Sequence, residues 1–242
     1  MRTIVYGNSK SRLKWDLNIK LDNVTTWGCN RIFNDIAVDN LVSIDHHVQH
    51  MIYESGYAHK NKCYFADWNI LPESFANTKI MITGDDMKVT ENEKGDRQSC
   101  VVNGKFYGEG KGLWITWIDE VDMVESIDYP QQWCSGTTAI HLACQQSPSE
   151  VYLIGFDISE NPLNNVYEEQ QMSQGGAYKR KHYKSSEDFG HRSDWAREIE
   201  TTIREFPNIE FIWAEPHEKS VKFDYDNLTY DTYENIRRNI CR

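Results

Sequence analysis

The chain has 242 residues, a length that suits one large α/β domain with a single core, so two independent domains are not expected. Its net charge of −11, from 37 acidic and 26 basic residues, excludes a protein-wide attraction to nucleic acid or anionic lipid and leaves only local basic patches. An aromatic content of 12% excludes disorder, and no apolar run approaches the roughly 20 residues that a membrane-spanning helix needs.

The sequence opens directly on a strand-like run, Thr3-Ile4-Val5-Tyr6. No basic region followed by a long apolar stretch comes first, so a signal peptide is not expected and cytoplasmic residence is. Short apolar runs at 2–6, 24–27, 40–44, 62–65 and 79–83 alternate with polar loops, which is the rhythm of βαβ units. Between them, 46–54 has Val48, Ile52 and Met51 on one helical face. A polar loop then leads into 101–107, where Asn103-Gly104 supplies the positive φ of a two-residue turn and predicts a hairpin insertion.

A strand is predicted at 113–118, then a helix opening on Ser135-Gly136-Thr137-Thr138, then a strand at 151–156, which together form a second βαβ half. Residues 159–190 are polar, contain Gly175-Gly176 and hold few aliphatics, so they read as a lid. Helical spacing returns at 191–206, with Trp195, Ile199 and Ile203 as a buried stripe. A strand at 209–213 and a last helix from about residue 230 complete the chain. The expected fold is one α/β domain over 1–242: a Rossmann-like, mostly parallel sheet with helices on both faces, a hairpin insertion and a lid.

Polar residues recur at the predicted carboxyl ends of strands, where open α/β sheets bind ligands. Gly7-Asn8-Ser9-Lys10-Ser11 follows the first strand, and its backbone N–H groups and side chains suit a phosphate or ribose as well as a simple strand-to-helix turn. The second strand ends at Gly28-Cys29-Asn30-Arg31 and the third at Ile44-Asp45-His46-His47. His46 and His50 share a helical face, but no third ligand follows at metal-binding spacing, and Asp45 suits an ordinary N-cap. The six cysteines show no CxxC pair and read as buried free thiols.

Ser135-Gly136 opens a helix, which favours an anion such as a nucleotide phosphate, with plain capping by Ser135 as the alternative. Leu153-Ile154-Gly155-Phe156-Asp157 places a carboxylate at a strand tip, suited to a ribose or acceptor hydroxyl. His191, in Gly190-His191 just before a helix, has the side chain suited to take a proton near neutral pH, although a lone His is usually structural.

Taken in order, Gly7-Asn8-Ser9-Lys10-Ser11, Gly28-Cys29-Asn30-Arg31-Ile32-Phe33, Ser135-Gly136, Tyr152-Leu153-Ile154-Gly155-Phe156-Asp157 and Gly190-His191 resemble the motif series of the bacterial family 42 sialyltransferases over roughly residues 1–215. The resemblance implies a metal-independent glycosyltransferase that uses a nucleotide-sugar donor and an acceptor of unassigned identity, with no cofactor. It further implies donor contacts from Gly7, Asn8, Ser9, Asn30, Asp45, Ser135, Gly136, Phe156 and Asp157, a general base at His191, and support of the leaving phosphate by Tyr167. Lys10, Asp45, Gln132 and Ser159 stand where that family carries Pro, Asn, Arg and Tyr. These departures favour an activated sugar or nucleotide other than CMP-sialic acid.

The opening, with Asn30-Arg31 and Val42-Ser43-Ile44-Asp45, is also similar to MptE-like pterin diphosphokinases, which implies ATP and Mg²⁺ held by carboxylates as the alternative. The chain also resembles proteins encoded by tailed phages, which would place it in a host cytoplasm. A non-catalytic nucleotide-binding module is the third reading. No membrane partner and no strong nucleic-acid signal are expected, and homo-oligomers are compatible with all three readings.

Overall fold

A computed structural model describes residues 1–66, 80–83, 86–89, 123–127, 133–158, 165–167, 190–216 and 220–241; within these, the side chains of residues 46, 47, 50, 54, 80–83, 86–89 and 190–193 are outside the description. Two compact units are present, one formed by Met1–Val42 with Pro130–Arg242 and the other by Ser43–Tyr129.

The first unit opens with β1 (Arg2–Tyr6), β2 (Val24–Cys29) and β3 (Asn40–Ser43). The second contributes α1 (His46–Glu54), β4 (Cys63–Ala66), β5 (Ile80–Thr83), β6 (Asp86–Val89) and β7 (Val124–Ile127). The chain returns to the first unit through α2 (Ser135–Gln145), β8 (Glu150–Ile154), α3 (Gly190–Glu205), β9 (Glu210–Ala214), β10 (Leu228–Asp231) and α4 (Tyr233–Ile240).

In the first unit the strands run in the order β10-β9-β8-β1-β2-β3, and every pair is parallel. A parallel sheet is covered on both faces, so its strands are apolar almost throughout rather than alternating. Ile4, Val5, Val151, Leu153, Ile154, Phe211 and Trp213 are accordingly inaccessible. The α/β, Rossmann-like architecture expected from the βαβ rhythm is therefore the one observed. In the second unit β4 and β7 pair in parallel, while β5 and β6 form an antiparallel ribbon.

Strand order reverses beside β1. From β1 the chain steps outward to β2 and β3, then returns through α2 to lay β8 on the other side of β1 and steps the opposite way to β9 and β10. Register keeps the strand ends level, with Tyr6 opposite both Gly28 and Ile154. The carboxyl ends of β1 and β8 thus flank a topological switch point, the place where such sheets part to admit a ligand.

α2 packs on β1, β2 and α3 through Ala139, Ile140, Ala143 and Cys144, and α3 presents Glu198, Ile199, Thr202 and Ile203. Trp195 was expected on that buried stripe, but it is 40% exposed. α2 begins level with Glu198, whose carboxylate reaches the Cys134 N–H, so the turns of α3 before Glu198 have no α2 alongside to cover them.

The strand predicted at 79–83 belongs to the antiparallel ribbon rather than to the parallel sheet. The hairpin expected at 101–107 and the strand expected at 113–118 lie outside the described residues, as does most of the segment expected to form a lid. No helix among the described residues is long and apolar enough to cross a membrane.

The β1–β8 junction depends on two glycines. A Cβ on Gly7 would lie 2.3 Å from the Gly155 carbonyl oxygen, and one on Gly155, at φ +75°, would lie 2.7 Å from the Arg12 Cβ. Neither obstacle is the free end of a flexible side chain, so the backbone itself must shift. Gly7→Ala is expected to cost about 1–3 kcal/mol through overpacking, measured by urea denaturation; wild-type stability would show that the two turns are not held in this contact.

Candidate functional site

The turn after β1 and the turn after β8 clasp one another. Gly7 N donates to Ile154 O at 2.8 Å and Ser9 N to Gly155 O at 3.0 Å. In the other direction, Asp157 N donates to the Ser9 hydroxyl oxygen at 2.9 Å, while the Asp157 carboxylate accepts from Ser11 N at 3.3 Å. The Gly7 and Ser9 amides are therefore engaged by the β8 turn, so a phosphate cradle built from them would first have to displace these bonds.

A buried arginine organises what lies beside this clasp. Arg12, 2% exposed, donates to the Asn8 side-chain oxygen at 3.0 Å, to Asp35 at 2.6 Å and to the Tyr167 hydroxyl at 2.8 Å. The Tyr167 hydroxyl donates in turn to Asp35 at 2.6 Å, and the guanidinium lies 5.2 Å from the Tyr167 ring centroid. Burial, reinforced by the Asp35 carboxylate that accepts its proton, raises the pKa of Tyr167.

Residues 165–167 thereby lie over the Asn8 turn: Val166 N donates to Asn8 O at 2.9 Å, and Asn165 forms an antiparallel bridge with Ser9. Tyr167 is 4% exposed, and its hydroxyl holds the turn in place. Asn8 passes the order on to the next strand end, because its amide nitrogen donates to Cys29 O at 3.1 Å. Asn30 follows at φ +51°, half-buried, at the start of a short 3₁₀ segment, Asn30–Asn34. Asn tolerates that left-handed conformation better than most residues.

The start of α2 closes the group. Cys134, not Ser135, is its N-cap, with the thiol sulfur accepting from Thr137 N at 3.5 Å. Burial pushes the Cys134 thiol up to about 11, which leaves it protonated near neutral pH and unsuited as a nucleophile. Gly136 packs tightly, since a Cβ there would lie 3.3 Å from the Phe156 ring and 3.6 Å from the Cys29 sulfur. Ser135 is buried in the same first turn.

A carboxylate already serves part of this helix start. Glu198, 1% exposed, accepts from Cys134 N at 3.3 Å and from the Thr137 hydroxyl at 2.5 Å. Burial raises its pKa, a rise that the Thr137 and Cys134 hydrogen bonds oppose. Its other oxygen has no hydrogen-bond partner among the described residues.

The structure thus gathers Gly7, Asn8, Ser9, Asn30, Ser135, Gly136, Phe156 and Asp157 around the switch point, with Tyr167 behind Asn8. Asp45 belongs to the second unit, where it is the N-cap residue of α1 without a side-chain capping bond. His191 occupies the first turn of α3, seven residues or about two turns before Glu198; its side chain is outside the described residues, as are those of His46, His47 and His50. No cluster of metal-ligating side chains occurs among the described residues. Sequence reasoning did not single out Arg12, Asp35 or Glu198, since one charged residue in a polar turn or on a helix carries no local sign of burial.

Arg12 and Asp35 should respond unequally to removal. The Asp35 side chain is 37% exposed and would be rehydrated when Arg12 is lost, so Arg12→Met is expected to cost about 2–3 kcal/mol. Asp35→Ala instead leaves a buried guanidinium without its counter-charge and is expected to cost about 3–5 kcal/mol. Chemical denaturation checks the order, and a larger loss for Arg12→Met would show that the guanidinium is not the enclosed partner.

No family model matches the chain, and no curated protein or solved structure matches it.

Proposed function

We propose that the chain is a glycosyltransferase that binds a nucleotide-sugar donor at the switch point and passes the sugar to an acceptor hydroxyl, with His191 as general base. The observation that carries this reading is the strand-order reversal between β1 and β8, together with the clustering there of residues drawn from four separate stretches of sequence. Switch points of this kind bind nucleotides beside the strand carboxyl ends, where a helix start turns the positive end of its dipole toward phosphate.

In this reading Asn30, Ser135 and Gly136 face the donor, with Phe156 and Asp157 along its flank. Asn8 and Tyr167 act one step back, since both are engaged with Arg12 and hold the turn in shape. The imidazole of His191 takes the proton of the acceptor hydroxyl, the oxygen attacks the anomeric carbon, and the bond to the nucleotide phosphate breaks with its electron pair leaving on phosphate. The Glu198 carboxylate at the α2 start disfavours a second negative charge at that spot, so the donor phosphate approaches through Ser135 and Gly136 rather than through Thr137.

Thermal-shift and calorimetric titrations with CMP, UDP, GDP and ATP, each with and without Mg²⁺, test the reading. A nucleotide at 100 times its Kd is expected to add about 2.7 kcal/mol of stability without needing Mg²⁺, and Asn30→Ala should weaken it. Once a donor is known, His191→Ala should lose roughly 10²–10⁴ in turnover with unchanged donor affinity. Absence of stabilisation by any nucleotide contradicts the proposal, Mg²⁺-dependent binding of ATP alone favours diphosphate transfer, and binding without turnover favours a non-catalytic module.

A further inference from the structure

On the β8–β9–β10 side of the switch point a cleft of about 700 Å³ opens at the strand carboxyl ends. Its volume is in the range of small-molecule sites. The lining is mixed in charge: Lys10, Lys14 and Lys222 line it together with Asp157, Glu215 and Asp231, and Tyr230 also contributes.

Each carboxylate is fixed by its neighbours. Lys14 Nζ is 3.2 Å from Glu215 Oε2, Asp231 accepts from Thr232 N at 2.7 Å and from Asn235 Nδ2 at 2.8 Å, and Asp157 accepts from Ser11 N. Lys222 is placed over the Tyr230 ring, 5.4 Å from its centroid. Glu215 sits at φ +26°, an unusual conformation for a residue with a side chain, and is held there by its N–H bond to Asp231 O at 2.9 Å.

This lining selects among ligand classes. A polyphosphate would meet three carboxylates in a chain of net charge −11, and a polycation would meet three ammonium groups. A neutral polyhydroxylated ligand uses both sets, because each hydroxyl donates to a carboxylate and accepts from an ammonium group. The cleft also adjoins the proposed donor crevice through Asp157, which lines the cleft while its amide is bonded to Ser9.

We propose that this cleft is the acceptor subsite and that the acceptor is a neutral carbohydrate. The assignment to an acceptor rests on the glycosyl-transfer reading; the carbohydrate specificity rests on the cleft alone. Saturation-transfer NMR on the full chain, with lactose, maltose and N-acetylglucosamine as probes, tests it. At least one probe is expected to show transfer, reduced several-fold in the Lys14→Ala/Glu215→Ala double variant and in Lys222→Ala. Lys14 and Lys222 are exposed and Glu215 is half-buried, and a solvated ion pair of this kind contributes little to stability, so the variants should fold. Nucleotide affinity, measured in parallel, should stay at the wild-type value.

Loss of all saccharide binding with nucleotide binding intact overturns the cleft assignment and leaves the donor reading standing. Displacement of a bound saccharide by inorganic phosphate makes the cleft an anion site and also overturns it. Cleft-dependent saccharide binding in a chain that binds no nucleotide keeps the carbohydrate site and removes the transfer reading.

Discussion

A single buried guanidinium sets the shape of the candidate site. Arg12 carries a full charge into a position that is 2% exposed, which is tolerated because Asp35, Asn8, Tyr167 and the Gly7 carbonyl converge on it with their oxygen atoms. Those partners come from the first strand turn, the second strand's 3₁₀ segment and the short stretch around residue 167. Satisfying one charge therefore fixes three distant pieces of chain, and Asn8 transmits the constraint onward to the Cys29 carbonyl just before Asn30.

The same economy of donors runs through the rest of the junction. The Gly7 and Ser9 amides bond the β8 turn, Thr137 bonds Cys134 and Glu198, and Asn8 bonds Arg12 and Cys29. The sheet junction is thus rigid and internally satisfied. In the proposed reading the donor meets Asn30 and the first turn of α2, and the acceptor meets the mixed-charge cleft beyond Asp157. Rigid placement of contact groups before binding lowers the ordering cost of recognition, as the proposed transfer between two reactants would require.

The sheet of the first unit was largely legible in the sequence because parallel strands advertise themselves as compact apolar runs, as in Thr3-Ile4-Val5-Tyr6 and Val151-Tyr152-Leu153-Ile154. Three strands escaped notice: Asp86–Val89, Val124–Ile127 and Leu228–Asp231 are four-residue runs in which two residues are polar, so they lack a compact apolar signal. The residues that follow strands were legible as a group, since Gly, Asn and Ser at strand ends have few other uses. Which of them are tied into the framework was not, because that depends on Arg12, whose partners lie up to 155 positions away. The N-cap was displaced by one residue for a similar reason: Cys is a weak capping residue by type, and only the folded chain brings its sulfur to the Thr137 amide.

The central claim is that ligand recognition occurs at the reversal of strand order between β1 and β8. Amide-resolved NMR of the full chain, titrated with the nucleotide that stabilises it most, tests this directly. The account predicts chemical-shift changes concentrated at Asn30, Ser135, Gly136, Phe156 and Asp157. Changes centred instead on the opposite edge of the sheet, near Arg2, Ser149 and Glu210, with the switch-point amides undisturbed, would contradict it.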